Sequence, residues 1–260
     1  MGGDPFFRFE SLAAAYFLLV ALGATLAGAS LQRTVRAIGT AALLVIIVVA
    51  ASRTVPDDGR LWLPHLYLVA GYWLPAMLIS SPTPSRFETW LRRHDETWRR
   101  RIGTVPPFAR WLLEASYLAC YVVVPLAFSV VWTRGTTQQV DRFWVTVLLA
   151  GFACYFTLPW LVSRPPRVFA EHTPDATDVA SFNVVLLRTI SHQFNTFPSG
   201  HVAVATAAAL AVCPVWPLAG VIFGAVAACI GAGAAVGRYH YGIDVVVGVL
   251  VGILAASAAL

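Results

Sequence analysis

Eight apolar stretches run through this chain, most of them separated by short polar breaks. A helix needs about 20 mostly apolar residues to cross the hydrocarbon layer of a bilayer. The stretches fall at 11–31, 37–52, 61–80, 111–132, 143–162, 201–216, 217–236 and 243–260. Inside lipid every backbone N–H and C=O must be satisfied within the protein, so such stretches fold as helices. The second and sixth are short, which calls for tilt or for capping by neighbours. Composition agrees with this pattern. Hydrophobic residues make up 58% of the 260 and charged ones 12%, about half the roughly 25% charged share of a soluble domain. A protein of this size has no interior large enough to hide that much apolar surface. The expectation is an all-α polytopic membrane bundle of about eight transmembrane helices. A soluble enzyme, a disordered tail and a disulfide-stapled secreted domain are all disfavoured.

The first stretch is a retained span rather than a signal peptide, although Ala27-Gly28-Ala29 has the form of a cleavage site. Its flank (Asp4, Arg8, Glu10) lacks a positive leading region, and its apolar run is too long. Cys120, Cys154, Cys213 and Cys229 lie singly within apolar stretches and read as small buried hydrophobes, with no metal-ligand spacing. The 18 cationic residues are all Arg, and the net charge is +5. No basic run is interleaved with exposed aromatics in the way nucleic-acid binding needs, so no nucleic-acid partner is expected.

Two segments between spans stand apart. In 85–102, Phe87, Trp90, Leu91, His94, Trp98 and Ile102 recur at helical spacing, while Arg92, Arg93, Arg99, Arg100 and Arg101 take much of the remaining surface. This is the pattern of a helix lying in the lipid headgroup layer, aromatics sunk and guanidiniums on phosphates. The rival is a solvated basic loop. The long connection 163–200 carries Val179, Phe182, Val185, Leu186 and Ile190 at helical spacing, predicting a short amphipathic helix within 178–194 that could act as a lid. Gly220/Gly224 and Gly248/Gly252 are GxxxG pairs, read as sites of close helix packing.

Three polar clusters interrupt the apolar segments: SRPPR at 163–167, FPSGH at 197–201 and GRYHYGID at 237–244. The first follows span five, the second precedes span six, and the third lies between spans seven and eight. Two crossings separate the second from the third and none separates the first from the second, so all three emerge on one face. Ionisable groups beside a span are costly and ask for a reason. Phosphoryl transfer supplies one. His240 and Asp244 are four apart, placing them on one side of a helical turn. A carboxylate on one imidazole nitrogen fixes the tautomer and presents the other as a nucleophile. His201 follows Ser199 and Gly200 at a helix start, where backbone N–H groups favour an anion, and it could protonate a leaving alkoxide. Arg164, Arg167 and Arg238 offer forked donors to phosphoryl oxygens. Singly, each has a plainer account: a capped interfacial histidine, a structural ion pair, a positive flank to span five. Their conjunction on one face favours catalysis.

With FPSGH and HYGID in this order, the chain resembles the type 2 phosphatidic acid phosphatase superfamily, which also includes vanadium haloperoxidases. The resemblance covers about residues 61–260, six spans forming a phosphatase-like core, with two additional N-terminal helices in 1–60 and the interfacial helix at about 85–102. It implies that His240 is the nucleophile forming a phosphohistidine, that Asp244 orients it, and that His201 is the general acid. It further implies that Ser199 and Gly200 supply phosphate-binding donors, and that no metal or other cofactor is required. The sequence departs from the family pattern at two points: Thr157 stands where the first motif has Lys, and Ala234 where the third has Arg. The PPR and HYxxD forms are more similar to the branch containing inositol phosphorylceramide synthases, and Arg167 and Arg238 rank ahead of Arg164 as phosphate ligands.

The resemblance implies an integral membrane protein of the plasma (inner) membrane, a membrane lipid phosphate as substrate, and a catalytic face that is extracytoplasmic. Counting arginines opposes that face, since 13 fall on the catalytic side and 5 on the other, and positive charge favours the cytoplasm. Setting aside the three candidate phosphate ligands and the five on the interfacial helix leaves the sides equal. The expected function is a lipid phosphate phosphatase acting on a phospholipid or polyprenyl (di)phosphate. A lipid head-group phosphotransferase is the alternative enzyme, a membrane scaffold or transporter the non-enzymatic one, and a haloperoxidase the remotest.

Overall fold

The computed structural model describes residues 6–79, 85–102, 105–169 and 178–260. Among them every regular element is helical. In chain order these are α1 (Arg8–Ala24), α2 (Leu31–Thr54), α3 (Asp57–Arg60), α4 (Pro64–Ala76), α5 (Arg86–Ile102), α6 (Pro107–Tyr117), α7 (Val123–Arg134), α8 (Thr137–Phe156), α9 (Asp178–Ile190), α10 (Gly200–Val212), α11 (Pro217–Val236) and α12 (Gly242–Ala258). A 3₁₀ turn, Leu118–Tyr121, continues α6, and another, Pro166–Phe169, closes the SRPPR segment. The expected arginine side chains at 99–101 and the connection through position 175 lie outside the described residues.

The expected spans map onto these helices with moved ends. The sequence pattern put the first break at 32–36, among polar residues. It falls instead at 25–30, where Gly28 takes φ +66°, and α2 then runs unbroken for 24 residues. Glycine enters the left-handed region without steric cost, whereas Gln32, Arg33 and Arg36 are good helix formers. The expected fourth span is broken, α6 with its 3₁₀ turn meeting α7 at 55°. Among the described residues two helices, α2 and α11, are long and apolar enough to cross a membrane, and the bent pair makes a third if it is one span. The remaining apolar runs outlast their helices. α4 and α10 stop at 13 residues each, with Pro75 in the last turn of one and Pro214 just beyond the other. Proline cannot carry the hydrogen-bond ladder onward.

α8 and α10 occupy the middle of the bundle. α8 buries Phe143, Trp144, Val147 and Leu148, and α10 presents buried Ala203, Ala205, Ala207, Ala208 and Ala209, so its neighbours approach closely. At Gly252 an added Cβ would lie 2.6 Å from the Ala203 carbonyl oxygen and 2.7 Å from Thr206 Cβ. The 248/252 pair therefore packs as expected. The 220/224 pair does so only at Gly220, against Cys213; Gly224 faces open space. Of the cysteines, Cys154 is buried but Cys229 is exposed on α11, so the buried reading does not hold for all four.

At the end of the bundle where α1 begins, Glu10, fully buried, pairs with Arg60, which also binds Asp57 at 2.8 Å. Asp141 accepts the Phe9 N–H at 3.2 Å. Midway along α1, the Tyr16 hydroxyl donates to the Gly71 carbonyl at 2.9 Å and its ring stacks on Phe152. These contacts fix α1 on α4 and α8. Leu22, Leu26, Ile46 and Leu254 point outward and exposed, as lipid-facing side chains do.

Candidate active site

The three polar segments meet at one end of the bundle. Asn195 N–H donates to the Ser163 carbonyl at 2.8 Å, Arg167 N–H to the Arg238 carbonyl at 3.1 Å, Ser199 N–H to the Asp244 carbonyl at 3.1 Å, and the Tyr241 hydroxyl to the Arg164 carbonyl at 3.0 Å. These bonds tie SRPPR, FPSGH with Asn195 just ahead of it, and GRYHYGID to one another, mainly through the backbone.

Asp244 sits in the first turn of α12, fully buried. Its Oδ2 accepts the Tyr241 N–H at 3.0 Å and the Asn195 Nδ2–H at 2.5 Å, and lies 3.5 Å from His240 Nδ1. That last distance is an ion-pair contact rather than a hydrogen bond. His240 is held by its backbone, its N–H donating to the Ala234 carbonyl at 3.0 Å. The His201 and His240 rings lie 5.8 Å apart between centroids, inclined by 68°. Buried polar atoms almost always find a partner, yet His201 Nδ1, His240 Nδ1, Asp244 Oδ1 and Ser199 Oγ have none among the described residues. Such a group of unsatisfied atoms is suited to a polar ligand.

A small cavity of about 30 Å³ lies between the two histidines, lined also by Arg167, Asn195, Thr196 and Tyr239. Of the three candidate arginines, Arg167 alone lines it. Burial lowers the Arg167 pKa below its usual value, and the nearby Arg188 charge adds to that. A guanidinium so placed gains from an anionic ligand. Arg164 is engaged elsewhere. Its backbone N–H, Nε and Nη2 all donate to the Glu88 carboxylate on α5, at 2.9, 3.1 and 2.9 Å. Burial works against the charge on Glu88, but these Arg164 bonds outweigh it and hold the carboxyl below its ordinary range. Arg238 takes the left-handed backbone, φ +60°, at the turn into the His240 segment.

The helix start at Ser199–Gly200 differs from the expectation of free N–H donors. Ser199 N–H is bound to Asp244, and Gly200 N–H donates to Thr196 Oγ1 at 3.2 Å. Gly200 is instead required by packing, since a Cβ there would lie 2.5 Å from the Tyr155 ring. Where the family pattern has Lys, Thr157 donates its hydroxyl to the Phe197 carbonyl at 2.5 Å, fixing the FPSGH loop without charge.

A second, larger cavity of about 620 Å³ adjoins the first, and Tyr72, Leu187, Ser191, Thr196 and His201 line both. Its walls are otherwise mainly apolar, with Leu68, Val69, Val124, Pro125, Ile190 and Val204 among them. α9 ends at Ile190 rather than 194, and the loop that follows turns through Gln193, whose φ is +65°. In that loop His192 stacks on Tyr72 at 4.3 Å, and burial pulls its pKa down to about 4.

A family model described as the PAP2 superfamily matches residues 85–258. The chain belongs to this superfamily. The match begins at α5, later than the motifs suggested, and takes in all three polar segments. No curated protein and no solved structure matches the chain. Membership of the PAP2 superfamily makes this a phosphatase-like protein. The sequence missed Glu88, Asn195 and Tyr239. A carboxylate at the inner edge of an amphipathic helix was a usable signal for Glu88; Asn195 and Tyr239 carried none.

Proposed function

We propose that this PAP2 superfamily protein is an integral-membrane lipid phosphate phosphatase working through a phosphohistidine. One observation carries the lipid reading: the polar cavity holding His201, His240 and Arg167 adjoins a mainly apolar chamber of about 620 Å³, and five residues line both. A phosphate joined to an aliphatic chain fits that pair of environments. On this reading the phosphate of a phospholipid or polyprenyl (di)phosphate sits by His240, with its chain in the chamber. The chain crosses the bilayer about eight times, with α4, α10 and the other short helices making up crossings together with their flanking turns.

In the reaction, the free imidazole nitrogen of His240 forms a bond to phosphorus as the bond from phosphorus to the lipid oxygen breaks. Asp244 stabilises the imidazolium that forms, and its contact to Nδ1 shortens as that charge develops. His201 passes its proton to the departing alkoxide, and the substrate's own negative charge favours the protonated form of that imidazole. Arg167 faces the charge gathering on the phosphoryl oxygens, with Arg238 and Ser199 as secondary donors. Water then attacks phosphorus, gives a proton to His201, and releases phosphate with His240 restored.

Detergent-purified protein, incubated with EDTA and a panel of lipid phosphates, should release inorganic phosphate, and His240→Ala should abolish the release. Release lost on chelation, or kept by His240→Ala, would sink the proposal. A phosphotransferase is favoured by the PPR and HYxxD forms, which are more similar to the branch containing inositol phosphorylceramide synthases. Turnover that requires an added acceptor alcohol would identify it. The site faces outward across the plasma membrane on this proposal. Asp175→Cys, probed with an impermeant thiol reagent in intact cells against the Cys229 background, should label. Labelling only after lysis would reverse the orientation.

A further inference from the structure

Glu114 is a carboxylate on α6 in a stretch otherwise suited to lipid, and it is 3% exposed. An acidic group there is costly unless it has partners, and its partners come from two different parts of the molecule. Tyr239 donates its hydroxyl to Glu114 Oε2 at 2.5 Å. Asn183 donates its amide to the same Oε2 at 3.1 Å and to the Glu114 carbonyl at 3.0 Å. Burial and the Glu114 hydrogen bond push the Tyr239 phenol above its usual pKa, so it stays a donor.

Tyr239 immediately precedes His240. Its ring stacks on Tyr117 at 4.2 Å, nearly parallel, and lies 5.4 Å from the Arg167 guanidinium. Holding this one phenol therefore fixes both the turn that carries His240 and the surface on which Arg167 rests. Asn183 belongs to α9. Its neighbours Phe182 and Val185 face outward and exposed, while Leu187 on the inner side lines both cavities. Asn183 is thus the polar clip between α6 and the helix that walls the chamber.

We propose that Glu114 is a positioning residue that couples α9 to the His240 turn, so that the chamber wall and the reactive imidazole are set by one buried carboxylate. This rests on the reading of His240 as the reacting group. The test compares wild type with Glu114→Ala, Glu114→Gln, Tyr239→Phe, Asn183→Ala and the Asn183→Ala/Tyr239→Phe double variant, using phosphatidic acid and a polyprenyl phosphate in detergent. Glu114→Ala should lower kcat tenfold or more as the His240 turn is released, and should raise KM as the chamber wall is released with it, since both donors are left buried without a partner. Glu114→Gln, with an oxygen able to accept both bonds, should recover most of the loss. The double variant should lose less kcat than the product of the two single losses, because both changes act through one acceptor. Hydrogen exchange reads the coupling without turnover: in Glu114→Ala, amides of 182–187 and 239–242 should lose protection together while α11 keeps its own. Unchanged kcat in folded Glu114→Ala, multiplying single effects, or loosening of α9 alone would each overturn the coupling. A wild type without turnover, or an active His240→Ala, would overturn the catalytic reading instead, and the exchange experiment would still decide the coupling.

Discussion

Replacing Glu88 should damage the protein through Arg164, not through the phosphate. Arg164 gives Glu88 three donors, one from its backbone and two from its guanidinium. Breaking a buried pair by removing one partner costs about 3–5 kcal/mol. The Glu88 side chain is 4% exposed but that of Arg164 is 28%, so water recovers part of the guanidinium's loss. Glu88→Gln should therefore cost roughly 2 kcal/mol, and Arg164→Ala, which strands the buried carboxylate, roughly 3 kcal/mol. At about 2–4 °C per kcal/mol for a chain of this size, Tm in detergent should fall by about 5–10 °C. The double variant should lose less than the sum, leaving a coupling of about 1.5–3 kcal/mol in the cycle.

Turnover separates this from phosphate binding. Per folded molecule, kcat/KM should change less than about threefold in Glu88→Gln and Arg164→Ala. Arg167→Ala should lose about a hundredfold, which at 1.36 kcal/mol per tenfold is about 2.7 kcal/mol of transition-state stabilisation. Thermal unfolding followed by intrinsic fluorescence, beside phosphate release at saturating and subsaturating substrate, measures both. Arg164→Ala that keeps its Tm and loses activity as deeply as Arg167→Ala would refute the assignment, and so would additive stability losses in the cycle.

Gly252→Ala should cost about 1–3 kcal/mol by overpacking, because its Cβ would lie 2.6 Å from the Ala203 oxygen; an unchanged Tm would mean α12 can slide. Arg60→Met should lower Tm by stranding Glu10 at the base of α1 while leaving kcat of the folded protein unchanged; lost kcat would show that the far end of the bundle reaches the site. His192, its pKa pulled from 6.5 to about 4, favours its neutral form when folded. The unfolded chain therefore binds the extra proton first, and stability should decline as pH falls from about 6.5 towards 4, by at most about 3 kcal/mol. His192→Phe should flatten that decline between those pH values, and an identical slope in the variant would remove His192 as its cause.

Much of the arrangement was legible in the sequence because its signals are local or topological. The helices α5 and α11 follow from periodicity and apolar length, and three motifs on one face follow from counting crossings. Span ends were less legible, since Gly28 and Pro75 outweigh hydropathy at the breaks. The resemblance ranks Arg167 and Arg238 ahead of Arg164, but the residues alone could not choose among the three, for a physical reason. A guanidinium is equally suited to a phosphate and to a carboxylate, and the carboxylate that claims Arg164 lies 76 residues earlier. Glu114 was legible in principle, as an acid inside an expected span, but its two partners lie 69 and 125 residues away.

The same long-range pairing gives α5 a part in the site that its composition conceals. Phe87 packs edge-on against Phe197 of FPSGH at 5.0 Å, Glu88 binds Arg164 of SRPPR, and Asp95 accepts the Gly242 N–H of HYGID at 3.3 Å. One helix thus touches each of the three segments through a different side chain, from the side that also buries Leu91. An amphipathic helix in the headgroup layer needs only an apolar side and a cationic side. Two acidic residues placed inward add nothing to membrane affinity and weaken it if exposed, so their placement is explained by what they hold. If α5 lies in the headgroup layer, the helix that anchors the protein is also one on which all three polar segments pack.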